Sequence, residues 1–474
     1  DDTLAIGRPA VSVLSSTLDA GAGSDSISAV HFTSSSITLG EGNDTLFFGS
    51  GATLGSLVSS TVTASAGYNW ISANANITSS SLTAAANGDT ILIGGNVSAS
   101  TVTGGAGTDV LQLTGAAGST LNLSSIDLGD GADSVLFTNN NVSGSTIAMG
   151  AGDDTLMITG SVRNGEIATG VSTTQKQSVI TLGEGTNYAT VAGDVVSASI
   201  TAGAGADTIL LGNAVTAASI ALGDTGANIL RVTDGFASST ITGGTGNDSV
   251  TATDSSTDTL SFSTGADTLS LTGSVTGSSI TFGGSSYVTV GSGISGATLT
   301  GAAGTDTFLI GSTASSSSIT MGDTGANILR ITGAIGNTTI TGGTGNDSVT
   351  AADSNVDTIS FSTGADTLSV VGGVTGSSIT FGGSSYATIG ENLTGSTLTG
   401  AAGTDTFLIG GAVTASSITL GDTGANILRI TGAVGGATIT GGTGNDSVTA
   451  GDSDVDTISF STGADTLSVV GAVT

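Results

Sequence analysis

A glycine-rich turn that ends in an aspartate occurs three times in nearly identical form. Residues 243–251 read Gly-Gly-Thr-Gly-Asn-Asp-Ser-Val-Thr, and the aspartate returns as Asp248, Asp347 and Asp446 in steps of 99 residues. Glycine permits backbone conformations that other residues resist, so main-chain carbonyls can face a shared site. The aspartate adds the anionic oxygen that a hard cation needs. The turn therefore predicts cation binding.

Weaker copies of this turn recur along the chain at a spacing of roughly 20 residues, and a fixed short period is typical of a solenoid. Between turns, apolar and polar residues alternate, as at Leu269 and Leu271 and again at Ile280 and Phe282. This alternation indicates strands with one buried face. The sequence predicts an all-β parallel β-helix (β-solenoid) of about 23 coils, with roughly 20 residues and two short strands per coil.

The regularity of the repeat differs along the chain. Residues 1–219 are predicted to form irregular coils with loop insertions, and residues 220–474 to form 99-residue super-repeats of five coils each, all in one continuous stack. The insertion at 163–178 is predicted to be a tolerated surface loop, with a partner-binding protrusion as the alternative. Because both ends lie within coils, we expect the chain to belong to a longer protein or to stack end to end.

The composition limits the function classes. The 474 residues include no Cys, 6 basic residues and 37 acidic ones, for a net charge of −31. Nucleic acid and anionic lipid bind through Lys and Arg, so neither is an expected partner. The sequence has no apolar run of about 18–20 residues, so no membrane span is predicted. The single His31 and Lys176, with acids in repeated positions, predict no enzyme, and Trp70 is predicted to cover a core edge.

The turn at 243–251, and a further full match that begins at Gly104, resemble the calcium-binding nonapeptide of RTX proteins. Because the motif appears once per coil, the chain is similar to the RTX-like solenoid region of a giant bacterial surface protein of the adhesin or surface-layer type. The spacing matches over nearly the whole chain, but the full motif only intermittently. The resemblance implies Ca2+ ligands along one edge, namely Asp25, Asp44, Asp109, Asp133, Asp154, Asp207, Asp248, Asp267, Asp306, Asp347, Asp366, Asp405, Asp446 and Asp465.

Some turns depart from the motif. Asn228, Asn327 and Asn426 replace the aspartate, and we align Tyr287 and Tyr386 with the same position. A ladder of Asn or Tyr needs no metal. Closure of the turns by side-chain hydrogen bonds alone therefore remains the alternative to calcium.

Two other features return once per super-repeat. Asp254 and Asp258, with their later counterparts, lie on the opposite edge and are candidates for a second cation site. Arg231, Arg330 and Arg429 follow an Ile-Leu pair, and we expect them to form ion pairs with acids on the next coil.

The resemblance implies a non-catalytic, calcium-stabilised structural repeat protein at the bacterial cell surface, as a surface layer, filament or adhesin stalk. Its expected partners are further copies, head to tail or laterally, with a cell-surface glycan as another candidate. The alternative is a ligand-binding solenoid for ice or glycan. In the related adhesins, ice binds outward Thr and Asx side chains. Here the pair Thr245 and Asn247 recurs only once in five coils, so such a face is predicted to be absent.

Overall fold

The computed structural model describes residues 1–6, 12–49, 55–168, 173–454 and 456–473. It contains two compact units, 1–251 and 252–474. In each unit the chain winds as a parallel β-solenoid, and the predicted all-β solenoid fold with coils of roughly 20 residues is confirmed. No helix in the described ranges is long and apolar enough to cross a membrane. The predicted division at residues 219 and 220, and the single stack, stay predictions.

Each coil contributes three strands, so each unit has three parallel sheets, named A, B and C in chain order. In one coil these strands are Asp267–Leu271, Val275–Thr276 and Ser279–Thr281. The prediction of two strands per coil is wrong. The middle strand is only two residues long and lies between turn residues, yet Val275 is buried and pairs in parallel with Ser255.

The strands of the first unit alternate inward and outward residues in register. Sheet A comprises Thr3–Ile6, Ser26–Ala29, Thr45–Phe48, Trp70–Ala73, Thr90–Ile93, Val110–Leu113, Ser134–Phe137, Thr155–Ile158, Tyr188–Val191, Thr208–Leu211, Ile229–Val232 and Ser249–Ala252. Sheet B comprises Ser12–Leu14, His31–Thr33, Gly55–Val58, Ala75–Thr78, Val97–Ser98, Thr120–Asn122, Asn141–Ser143, Val162–Arg163, Val195–Val196, Val215–Thr216 and Phe236–Ala237. Sheet C comprises Thr17–Asp19, Ser36–Gly40, Thr61–Ala64, Ser81–Thr83, Thr101–Ala106, Ser125–Asp130, Thr146–Ala148, Val179–Thr181, Ser199–Thr201, Ser219–Ala221 and Thr240–Thr242.

The second unit repeats this arrangement, with strands that are more uniform in length in sheets B and C. Sheet A comprises Asp267–Leu271, Ser286–Val290, Thr307–Ile310, Ile328–Ile331, Ser348–Ala351, Asp366–Val370, Ser385–Ile389, Thr406–Ile409, Ile427–Ile430, Ser447–Ala450 and Thr466–Val469. Sheet B comprises Ser255–Ser256, Val275–Thr276, Ile294–Ser295, Ala314–Ser315, Ile335–Gly336, Ser354–Asn355, Val374–Thr375, Leu393–Thr394, Val413–Thr414, Val434–Gly435 and Ser453–Asp454. Sheet C comprises Thr259–Ser261, Ser279–Thr281, Thr298–Gly301, Ser318–Met321, Thr339–Thr341, Thr358–Ser360, Ser378–Thr380, Thr397–Thr399, Ser417–Thr419, Thr438–Thr440 and Thr457–Ser459.

The core of each unit consists of columns of inward side chains, each column formed by the residues at the same position in successive coils. Leu46, Ile71 and Ile91 are successive members of one column, in register and buried. In the second unit the rings of Phe262 and Phe282 stack with centroids 4.9 Å apart, and the next super-repeat has the same stacked pair at 5.0 Å. Stacking like on like buries apolar surface that a single coil would leave exposed.

The insertion at 163–178 contains an antiparallel hairpin of Gly165–Ala168 and Thr173–Lys176. Among the described residues the other strand pairs are parallel, and this hairpin is the one antiparallel pair. The sequence-based expectation of a segment that leaves the stack agrees with this hairpin. Its role as a partner-binding protrusion stays a prediction.

Candidate functional site

The predicted cation ligands lie in the turn that leads from sheet C into sheet A. Asp109, for example, directly precedes the strand Val110–Leu113, and its side chain faces the interior. We call the residues at this position in successive coils the aspartate row. All the predicted ligands are buried except Asp465, which is half-buried. The row also contains buried Asp89, which the sequence analysis did not include among the ligands.

In a run of successive coils, one carboxylate oxygen of each aspartate in this row bonds to the neighbouring coil. The backbone N–H of Asp89 donates to Oδ1 of Asp109 at 2.7 Å, Asp109 donates to Asp133 at 2.7 Å, and Asp133 donates to Asp154 at 2.7 Å. A buried N–H without an acceptor is costly. The aspartate row therefore joins coil to coil without any ion.

Packing explains the glycines around each aspartate. A Cβ on Gly104 would lie 2.3 Å from Oδ2 of Asp109, and one on Gly246 would lie 1.3 Å from the carbonyl oxygen of Gly226. Real Cβ contacts are never this short, so only hydrogen fits at these two positions. The motif is thus required by the close approach of successive turns, whether or not an ion is bound.

The three polar side chains of the Gly-Thr-Gly-Asn-Asp motif all bond to adjacent coils. The hydroxyl of Thr344 donates to the carbonyl of Asp323 in the preceding coil. Oδ1 of Asn346 accepts an N–H from the following coil at 2.8 Å. Oδ1 of Asp347 accepts the backbone N–H of Asn327 at 3.1 Å and its side-chain N–H at 2.9 Å. The three side chains of the motif therefore connect neighbouring coils by hydrogen bonds.

The second carboxylate oxygen has no such partner over a run of the first unit. In the described part of the first unit, Oδ2 is buried without a hydrogen bond in Asp25, Asp44, Asp89, Asp109, Asp133, Asp154 and Asp207, and the second unit adds Asp306, Asp347, Asp366, Asp405 and Asp446. At Asp248 the geometry differs, because its Oδ2 accepts the N–H of Gly244 at 3.0 Å. The unpaired oxygens mark the place where a proton or a cation would reduce the cost of burial.

Burial also shifts the acidity of these carboxyls. It raises the pKa of Asp109 to about 7; the N–H of Asp89 works against the shift, and the charges of Asp133 and Asp89 add to it. Burial likewise raises the pKa of Asp154 to about 6. In the second unit it raises the pKa values of two further members to about 6, namely Asp366 and Asp405. With a pKa of about 7, Asp109 therefore holds a proton part of the time near neutral pH unless another positive charge replaces it.

The residues meet the needs of a calcium ion only in part. Calcium takes six to eight oxygen ligands, including carboxylates and main-chain carbonyls. Many turns of the row offer a buried carboxylate oxygen without a hydrogen bond, but within the described ranges no three acidic or histidine side chains converge. A calcium ion here would depend on carbonyls and water for its other ligands. The calcium-ligand role of these aspartates stays a prediction.

The row shows one misalignment in the sequence analysis. Asn228, Asn327 and Asn426 do occupy the aspartate position and are buried. The alignment of Tyr287 with the aspartate position is wrong. Ser286 pairs with Asp267 and occupies that position, whereas Tyr287 is outward and 47% exposed. The next super-repeat is the same, with Ser385 in the row and Tyr386 outward.

A second polar row lies at the corner between sheets B and C. The N–H of Ser60 donates to Oγ of Ser80 at 3.1 Å, and the pattern continues in successive coils. Asp357 takes this position in its coil and accepts the N–H of Thr338, the hydroxyl of Ser354 and the N–H of Asn355 at 2.7–2.8 Å. The second cation site predicted on this edge therefore has no unpaired oxygen at Asp357 to support it.

The arginines do not form the expected ion pairs. In the part of the chain that the structure describes, the single ion pair joins the amino terminus of Asp1 to Asp25 at 3.8 Å. Arg231 is exposed on the outward face of sheet A, between Leu210 and Thr251 of the adjacent strands. The prediction is wrong because the register neighbours of Arg231 are Leu210 and Thr251 and not acidic residues.

No protein-family model matches the chain, and no curated protein matches it. Among solved structures, it is similar to the crystal structure of a hyperactive, Ca2+-dependent, β-helical antifreeze protein from an Antarctic bacterium. The two are 21% identical over 72% of this chain and 83% of that chain, with a TM-score of 0.35. Values this low assign no ligand and no activity, so function has to be argued from the residues of this chain.

Those residues favour structure over catalysis. The carboxylates repeat from coil to coil with one oxygen bonded to backbone N–H groups, and in the described ranges no three acidic or histidine side chains converge. A general acid–base pair needs two groups placed around one reacting bond. The row instead performs the same contact many times, which stabilises the stack.

Proposed function

We propose that this chain is a non-catalytic structural repeat protein that works outside the cell as a stalk, filament or surface-layer scaffold. The observation that carries the proposal is the use of the motif side chains: Thr344, Asn346 and Asp347 all bond to neighbouring coils. Polar groups committed in this way hold adjacent coils together. A scaffold requires that kind of repeated, local stability.

Two further observations support the extracellular part of this proposal. Lys and Arg together number only 6 in 474 residues, so trypsin-like proteases have few cleavage sites. The unpaired carboxylate oxygens of the aspartate row would gain from a divalent cation, which is where we place the predicted calcium. On this proposal, calcium adds to a fold whose coils are already joined by hydrogen bonds.

Single-molecule stretching of the whole chain tests the scaffold proposal. We expect a saw-tooth of rupture events, each releasing about 70 Å for a coil of roughly 20 residues. Asp133→Ala removes the carboxylate that accepts the N–H of Asp109, and it should lower the weakest rupture forces. The control Thr103→Ala, at an outward position, should not. Extension without force peaks would contradict a scaffold that bears tension.

A second candidate function, ice binding, rests on the outward face of sheet C in the second unit. Both outward positions are Ser or Thr in each of its eleven strands, from Thr259 and Ser261 to Thr457 and Ser459. Repeats of about 4.8 Å between strands and about 7 Å along them give a regular array of hydroxyl and methyl groups. The Thr and Asx pair of the turns does not indicate this array, because the array lies on the strands. Thermal hysteresis that Thr341→Tyr abolishes would favour this candidate over the scaffold.

A further inference from the structure

On the outward face of sheet A in the first unit, large apolar side chains alternate between two outward columns, which they share with Thr, Ser and Gln. Nine consecutive strands, from Thr45–Phe48 to Ile229–Val232, each place one large apolar side chain outward. We call these residues the apolar stripe: Phe47, Trp70, Leu92, Val110, Leu136, Met157, Tyr188, Leu210 and Ile229. Trp70 is 48% exposed and Ile229 is 46% exposed. The sequence predicted that Trp70 covers a core edge. This prediction is wrong, because the side chain lies on the outward face.

The stripe lies on a face without negative charge. The nine strands contain no Asp or Glu, and their single charged residue is Arg231. The whole chain has a net charge of −31, so most other surfaces of two copies would repel each other. Two copies can approach most closely where neither presents a carboxylate.

The size of the stripe is close to the minimum for a specific interface. Nine strands at a spacing of about 4.8 Å, each about 13 Å long, cover roughly 500 Å². Two such faces bury roughly 1,000 Å², which is the lower limit for a biological interface. Apolar side chains fill nine of the eighteen outward positions of this face, and large exposed apolar side chains gathered on one face mark an interaction site.

We propose that the apolar stripe binds the apolar stripe of a second copy, sheet A against sheet A. This inference deepens the scaffold function and rests on it, since lateral pairing would convert single solenoids into a thicker fibre or layer. The side chains of the two faces would interdigitate as in aligned sheet packing, at a separation of about 10 Å.

Arg231 favours an antiparallel pair. In a parallel pair the Arg231 side chains of the two copies would face each other, whereas in an antiparallel pair they lie at opposite ends of the stripe. The opposite end carries Phe47, whose ring attracts a cation over its face. Leu136 lies in the middle strand of the nine and so comes closest to its own counterpart across the two-fold axis.

A glycan fits the stripe less well than a second copy. Sugar rings stack on aromatic platforms, but Trp70 and Tyr188 lie five strands apart, or about 24 Å at the strand spacing. Most of the residues between them are aliphatic or hydroxylated. The stripe is therefore typical of protein packing.

Sedimentation equilibrium of the full chain, from about 1 to 200 µM, tests the proposal over the range expected for an interface of this size. We expect reversible dimers whose association strengthens as salt screens the repulsion between copies. Leu136→Glu should weaken association by at least about tenfold, because it places two carboxylates together at the two-fold axis. Thr83→Glu, on the outward face of sheet C, adds the same charge and should have little effect.

Leu136→Ser, which removes apolar surface without adding charge, serves as a second variant, and circular dichroism establishes that each variant is folded. A wild-type chain that stays monomeric up to 200 µM would overturn the proposal, as would dimers that Leu136→Glu and Leu136→Ser leave intact. Binding of a soluble glycan array by that monomer would assign the stripe to a glycan instead. None of these results would affect the rupture pattern that tests the scaffold function.

Discussion

At the scale of single residues, the two oxygens of each buried aspartate have different roles. Oδ1 of Asp109 accepts the N–H of Asp89, a bond that Asn makes equally well at the same position, as in Asn69 and Asn187. Oδ2 of Asp109 is buried and unpaired. The hydrogen bonds from coil to coil require only a side-chain carbonyl oxygen at this position, which Asn also supplies. The second carboxylate oxygen of Asp109 is explained only by a bound cation or proton.

Replacing Asp109 separates the ladder from the ion. In the presence of chelator, Asp109→Asn should retain or raise the melting temperature, because the N–H acceptor remains and a charge beside Asp89 and Asp133 is removed. Asp109→Ala should lose about 1–3 kcal/mol, because the N–H of Asp89 loses its acceptor. Thermal unfolding followed by circular dichroism measures both effects.

Calcium is tested in the same series. If Asp109 is a ligand, added calcium should raise the melting temperature of the wild type more than that of Asp109→Asn. A wild-type melt that is identical with calcium and with excess chelator would rule out the predicted ion row. It would leave the hydrogen-bond ladder as the whole function of the motif.

At the scale of the coil, the corner between sheets B and C imposes a left-handed backbone conformation. Residues just before the second polar row have positive φ, including Val356 at 58° and Gly376 at 62° in successive coils. A β-branched residue is strained there, whereas glycine is not. The corner thus tolerates the backbone strain of Val356, and the pairing of the stacked strands offsets the free energy that this strain costs.

Exchanging residues at this corner should shift stability in opposite directions. Val356→Gly should stabilise the chain by up to about 1 kcal/mol, since relief of strain exceeds the added freedom of the unfolded chain. Gly376→Val should destabilise it by about 1–2 kcal/mol, although a Cβ there meets only Val356 Cγ2 at an ordinary 3.6 Å. Denaturant unfolding of both variants measures the difference, and equal shifts would refute the strain argument.

Sequence periodicity predicts the long-range arrangement of coils better than the details within a coil. The spacing of Asp248, Asp347 and Asp446 predicts parallel stacking because an in-register stack requires a constant coil length. The two-residue strand Val275–Thr276 could not be predicted, since two residues cannot display an alternating pattern. Tyr287 was misaligned because its turn is one residue shorter, which moves Ser286 into the aspartate row.

The site was predictable only as a set of positions. Glycine and aspartate spacing placed the carboxylates in one row, but their inward orientation and the N–H donors of the preceding coil depend on close approach of successive turns. The apolar stripe was also missed. Leu136 and Met157 lie at outward positions of strands whose sequence is apolar on both faces, so a single sequence does not indicate which face is buried.

At the scale of the whole molecule, the raised pKa values make stability depend on pH. Burial raises the pKa of Asp109 to about 7 and those of Asp154, Asp366 and Asp405 to about 6, from 3.8. The folded state then holds protons that the unfolded state releases. Their stabilising contribution is complete below pH 3.8 and is lost as the pH rises through 6 to 7.

In chelator we therefore expect the melting temperature to fall between pH 4 and pH 8. Asp109→Asn provides the matched control, because it should flatten the upper part of this decline, near pH 7. Differential scanning calorimetry across the pH range measures both curves. A melting temperature that rises with pH would contradict protonation of the aspartate row.

The in-register columns of the second unit have a consequence for how such a chain can change in length. Positions 99 residues apart have equivalent neighbours, as the two stacked phenylalanine pairs demonstrate. Recombination that removes or duplicates one 99-residue segment rejoins each column to an equivalent column, with every inward and outward position preserved. Length can therefore vary between descendants of this gene in whole repeats, while insertions of any other size must leave the stack as loops.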